Sequence, residues 1–114
     1  MCRAVWLLIA GPSADANKAL RRAAGPEAQV VAMAESAAEA IEAISSSRAD
    51  VVVIAADLEG ADGLVSSIRD AAPQAAVVWV GAGAPDGAHA SLDEVSDALE
   101  GAITRGLLAA RAAR

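Results

Sequence analysis

Few side chains in this 114-residue sequence are of types that do chemistry unaided. Cys2 is the one cysteine, which excludes an internal disulfide and any cysteine-based metal cluster. His89 is the one histidine, without a second His or a Cys nearby to complete a metal set or a catalytic pair, and it reads as a surface or loop residue. Carboxylates are more plentiful, and the stretch that arranges them best is "DVVVIAADLEGADGL", Asp50 to Leu64. An apolar run opened by Asp50 ends at Ala55 and Ala56, a short loop follows, and Asp62-Gly63 begins a helical pattern. A strand of this shape delivers a residue to the edge of a parallel sheet, where a carboxylate could act as a nucleophile or hold a divalent cation. The residue delivered is alanine.

The elements that would position such a site follow from the apolar pattern. Arg3–Ala10, Ala28–Met33, Asp50–Ala55 and Ala75–Val80 are near-continuous apolar runs, as strands covered on both faces require. Between them lie helical patterns. Ser13 or Asp15 caps a helix through about Ala24, inward at Ala16, Leu20 and Ala23, and Gly25-Pro26 stops it. Ser36 and Glu39 have capping-box spacing and start a helix to about Ser45, inward at Ala37, Ala40, Ile41 and Ile44. Asp62 is expected to cap a third, inward at Leu64, Val65 and Ile68. A second capping box, Ser91 and Glu94, opens the last helix, which runs on towards the C-terminus. Strand and helix alternate with short connections, which predicts an α/β fold with a mostly parallel sheet.

Composition narrows the function. The residues are 55% apolar with no Phe or Tyr, so the core is built from Val, Ile, Leu and Ala in thin, close-packed layers. The net charge of −6 argues against nucleic acid, which asks for a basic face. The N-terminus loosely imitates a signal peptide, but similar apolar runs recur at Val30, Val51 and Val77 and read as strands. No run approaches the roughly 18 residues of a membrane span, so a cytoplasmic protein is expected.

With these elements in place, the chain from about Arg3 to Arg105 resembles the receiver domains of two-component response regulators. The stretch Asp50–Leu64 carries the most specific likeness: a strand-opening Asp, the loop Gly60, and an Asp-Gly pair that begins the third helix. The resemblance implies a flavodoxin-like (CheY-like) doubly wound sheet of strand order 2-1-3-4-5. In its register the phosphate-accepting aspartate falls at Ala55, and the paired magnesium-binding acids at Ala10 and Gly11. The hydroxyl residue falls at Gly81 and the lysine near Ser91. A methyl group is no nucleophile and Ala-Gly cannot hold magnesium, so none of the phosphorylation residues carries over and no cofactor is expected. Asp57, two residues past Ala55, is a conceivable substitute acceptor, but such a residue more often belongs to its own turn.

The resemblance also implies a fourth helix before the fifth strand. Here only seven residues, Gly81 to Gly87, precede a fifth strand expected at Ala88–Ala90. Seven extended residues span roughly 23 Å, whereas a helical crossover needs about a dozen. The fourth helix is therefore expected to be absent and the fifth strand short or vestigial, leaving apolar surface beside the last helix for docking.

Other motifs favour ordinary roles. "GAGAPDG" (Gly81–Gly87) has spacing GxGxxxG, with Pro85 inside and no helix opening directly after it, so it reads as a shortened connection and not as a dinucleotide fingerprint. "AGPSADAN" after the first strand sits where flavodoxin-like folds hold phosphate, and Ser13 or Asn17 could donate, but Asp15 opposes an anion. Trp6 and Trp79, in predicted strands, read as core. The last helix carries a stripe at Val95, Ala98, Leu99, Ala102, Ile103, Leu107 and Ala110.

The expected organisation is a pseudo-receiver over residues 1–105 and a helical extension or linker over 106–114. The expected activity is non-enzymatic: a phosphorylation-independent protein–protein module that dimerises or controls an attached output domain, DNA-binding or ATPase, expected downstream and absent from this sequence. Its expected contacts are Val95, Leu99, Ile103 and Leu107, with Gly81, Gly83 and Pro85 of the loop. The alternative is a small flavodoxin-like binder of a ligand or nucleotide.

Overall fold

The computed structural model describes residues 5–25, 28–73, 75–94 and 98–112. Five strands, β1 (Val5–Ala10), β2 (Ala28–Ala34), β3 (Val51–Ala55), β4 (Ala76–Val80) and β5 (Ala90–Leu92), form one parallel sheet in the order β2-β1-β3-β4-β5. Among the described residues there are four helices: α1 (Ala14–Ala24), α2 (Ala37–Ser46), α3 (Ala61–Ala71) and α4 (Ala98–Ala112). This is the predicted flavodoxin-like arrangement. No helix among the described residues is long and apolar enough to cross a membrane.

Side chains that alternate along the strands divide the core into two layers. Leu8, Val52, Ile54, Val77 and Trp79 pack on one face with Ala40 and Ile44 of α2 and Leu64, Val65 and Ile68 of α3. Leu7, Ile9, Val51, Val53 and Val78 pack on the other with Leu20 and Ala24 of α1 and Leu99, Ala102 and Ile103 of α4. Strands β3 and β4 are buried along their whole length, which explains their unbroken apolar runs. Asp50 has a structural task at the start of β3: its N–H donates to the Trp6 carbonyl at 2.8 Å and its Oδ2 accepts the Trp6 N–H at 3.1 Å.

The ends of the elements depart from expectation in several places. Ser13 and Ser36 do cap α1 and α2, accepting from the N–H groups of Ala16 and Glu39. Asp62 does not cap α3. The N-cap is Gly60, in the left-handed region at φ 78°, and Asp62 stands in the first turn, where its charge favours the positive end of the helix. Ser91 does not open the last helix, because it lies in β5 opposite Trp79. The fifth strand is three residues long and sits at Ala90–Leu92, two residues later than expected. Trp6 is 37% exposed near the start of β1, and Ile41 is 38% exposed on α2, so neither belongs to the core.

Across the boundary expected at residues 105–106, α4 continues as one helix. Gly106 is buried against β4 and β5, where a Cβ would stand 3.2 Å from Val78 Cγ2. Ala110, one turn on, is buried in the same layer.

Candidate functional site

The C-terminal tips of the strands form the edge at which a doubly wound sheet places its chemistry. Ala10 at the tip of β1 is fully buried, and the Gly11 N–H after it donates to the Ala34 carbonyl at 3.1 Å. Asn17 of α1, itself buried, donates from Nδ2 to that same carbonyl at 3.2 Å. Its Oδ1 has no hydrogen-bond partner and fills the space that a Cβ on Gly11 would occupy. Asn17 is thus a packed strut between α1 and β2, which places its amide away from any anion at the helix N-terminus.

Ala55 at the tip of β3 is buried, and the loop beyond it is tied down turn by turn. The N–H of Ala56 donates to Val80, that of Leu58 to Ala55, and that of Ala61 to Leu58. Leu58 is buried beneath α3 while Asp57 points to solvent. Asp57 shares a shallow cleft with Glu35, Ser36 and Glu59. Among the described residues, no three His, Cys, Asp or Glu side chains come together closely enough to hold a metal ion.

At the tip of β4, Gly81 adopts φ 129°, which L side chains rarely adopt, and a Cβ there would collide with the Ala56 methyl. Its N–H donates to the Leu92 carbonyl at 2.7 Å, which draws β5 against the tip. Ser91 is exposed in β5. A pocket of about 380 Å³ opens over this edge, lined by Ala16, Leu20, Ala55 and Val80, with Asp57 and Glu94 also on its wall.

Residues 81–89 replace the missing fourth helix with a strap. Arg69 of α3 donates from Nη1 to the Gly87 carbonyl at 2.8 Å, and a Cβ on Gly87 would stand 2.9 Å from Val65 Cγ1, so the strap lies flat on α3. Trp79 is 2% exposed and donates from its indole N–H to the Ala82 carbonyl at 3.1 Å. His89 closes the strap: its N–H donates to the Val77 carbonyl at 2.8 Å, and its Nδ1 accepts the Val77 N–H at 2.9 Å. Burial, aided by the nearby Arg69 guanidinium, holds the His89 imidazole below its ordinary pKa of 6.5. His89 is thus the loop residue expected, half-buried before β5, and its ring has a structural task that a lone His in sequence gives no sign of: it completes the edge of β4.

Of the expected contact residues, Leu99 and Ile103 are buried against the sheet and have no surface to offer. Leu107 is half-buried, and its neighbour Leu108 is 61% exposed. Gly83 is exposed at φ 75° with open space around it, and Pro85 is half-buried. Val95 lies outside the described residues.

No family model matches this chain, and neither does any curated protein. Solved structures do. The response-regulator domain of Thermotoga maritima CheB superposes with a TM-score of 0.71 at 20% identity, over 97% of this chain and 96% of that one. The chain has the fold of a response-regulator receiver domain. The signal receiver domain of an HD-domain-containing protein from Pseudomonas fluorescens Pf-5 matches the receiver fold with a TM-score of 0.76 at 16% identity, over 96% of this chain and 99% of that one. The receiver domain of AraT from Geobacillus stearothermophilus matches at 0.61 and 23% identity, over 68% of this chain. This chain spans 64% of the AraT chain's length, just under two thirds.

Proposed function

We propose that this receiver fold is a pseudo-receiver: a non-enzymatic, phosphorylation-independent module of response-regulator signalling that acts through protein contacts. The observation that carries the reading is the state of the strand tips. Ala10, Gly11, Ala55, Gly81 and Ser91 stand where a receiver's phosphorylation residues would fall, and none is an acid or a lysine. Two of these positions are also closed sterically, Gly11 by the Asn17 amide and Gly81 by the Ala56 methyl. Phosphoryl transfer needs a placed nucleophile and a placed cation; this edge supplies an alanine and a packed asparagine. The contact surface in this reading is the strap around Gly83 and Pro85, together with Leu107 and Leu108 of α4. Through it the module pairs with a second copy or with an attached output domain.

The test is intact mass after incubation with acetyl phosphate and magnesium, beside light scattering at two concentrations about tenfold apart. Absence of a phosphoryl adduct with an unchanged mass distribution fits the proposal. An adduct mapped to Asp57 would overturn it. A second reading, a small-ligand binder, is favoured by the pocket over Ala55 and Val80. It predicts a ligand released on denaturing the freshly purified protein, visible in its ultraviolet spectrum.

A further inference from the structure

The strap over Trp79 is fastened by a titratable group. We propose that residues 81–89 are an acid-loosened cover: protonation of His89 at Nδ1 breaks its bond from the Val77 N–H, leaves the His89 N–H to the Val77 carbonyl as the end tie, and lets the strap lift from Trp79 and the α3 side of β4. The proposal goes beyond the pseudo-receiver reading and does not depend on it.

The geometry fixes the tautomer. Nδ1 accepts the Val77 N–H, so it carries no proton in the closed form, and the ring hydrogen sits on Nε2. Adding a proton to Nδ1 sets two donors against each other at 2.9 Å and leaves a part-buried N–H without an acceptor. The new charge would also lie close to the Arg69 guanidinium, which is the strap's other tether through the Gly87 carbonyl. Acid therefore strains both fastenings at once. The remaining fastenings are neutral hydrogen bonds: Trp79 to the Ala82 carbonyl, and at the strap's two ends the Gly81 N–H to the Leu92 carbonyl and the His89 N–H to the Val77 carbonyl.

The charges around His89 do not offset this. On α3 the charged group acting on the ring is Arg69. β4 contributes Val77 and its apolar neighbours. On the strap itself Asp86 is exposed, and on α4, which packs on the opposite face of the sheet, Arg105 is exposed beside Gly106. The closed form binds the proton more weakly than the open form, because burial and Arg69 both oppose the charged ring. Closure is thus fully in place above the ordinary value of 6.5 and is lost as pH falls below it.

The experiment is the hydrogen-exchange protection factor of the Val77 amide, with Trp79 fluorescence, on the full chain between pH 8 and pH 5. Protection in the native protein should hold above about pH 6.5 and then fall, by up to about tenfold per unit for one proton. Fluorescence should shift to the red over the same range. His89→Asn keeps an acceptor at the reach of Nδ1 and removes the titration, so its protection should stay flat. Arg69→Met loosens one tether without touching the titrating ring, so its protection should be lower throughout yet still fall with acid. A flat profile in the native protein overturns the proposal without recourse to any variant. So does a fall of equal size in His89→Asn.

Discussion

The Ala56 methyl occupies the place where a side chain on Gly81 would begin. The two residues directly follow the ends of neighbouring strands, and the Ala56 N–H donates to the Val80 carbonyl just before Gly81, so neither can withdraw. The consequence is that position 81 is closed to any side chain by backbone conformation as well as by contact. Gly81→Ala should cost about 1–3 kcal/mol from its positive φ alone, with the collision in addition. Adding Ala56→Gly should recover the collision but not the φ strain. Urea denaturation of the two variants separates these contributions, and full recovery in the double variant would show that φ matters little.

Gly11 and Asn17 should be coupled for the same kind of reason. A methyl at position 11 meets the Asn17 amide, while Asn17→Ala removes an unpartnered oxygen along with one hydrogen bond to Ala34. Gly11→Ala is expected to be clearly destabilising in the native background and nearly neutral beside Asn17→Ala. The double-mutant cycle should give a coupling of about 0.5–3 kcal/mol. Strict additivity would mean that the buried amide can swing away.

Two glycines of α4 make opposite predictions. Gly101 is exposed and its Cβ position is free of backbone or core atoms, so Gly101→Ala should stabilise by about 0.5–1 kcal/mol through helix propensity. Gly106 rests on Val78, and Gly106→Val should destabilise by about 1–3 kcal/mol through overpacking. Thermal melts of the pair, run side by side, test whether the second half of α4 is truly seated on the sheet.

The two tryptophans should likewise behave differently. Trp79 is 2% exposed beneath the strap, and Trp79→Ala should cost about 3–5 kcal/mol. Trp6 is 37% exposed, and the hydrogen bonds that hold it to Asp50 are made by its backbone, so Trp6→Ala should cost markedly less. Denaturation midpoints of the two variants, read by circular dichroism, compare them directly.

The sheet was legible because burial on both faces leaves a mark that neighbours cannot disguise: Val51–Ala55 and Ala76–Val80 are apolar at every position and buried at every position. The missing fourth helix was legible from chain length, which bounds what seven residues can span. What local patterns could not show was partnership at a distance. The spacing of Ser91 and Glu94 imitates a helix start, but Ser91 is committed to Trp79 across the sheet, and that pairing overrides it. Asp62 looked like a cap because the left-handed turn at Gly60 leaves no local trace beyond a glycine. Asn17 and His89 were judged by type, and their tasks depend on the Ala34 carbonyl and the Val77 amide, 17 and 12 residues away.

The strap also has a practical use. Its two ends are held, by Gly81 to Leu92 and by His89 to Val77, while Gly83 between them stands in open space. Lengthening a loop whose ends are already fixed adds only about 0.6 kcal/mol for each doubling. The point where this chain omits a helix is thus its natural port for grafted sequence, such as a reporter peptide, an affinity handle or the helix itself.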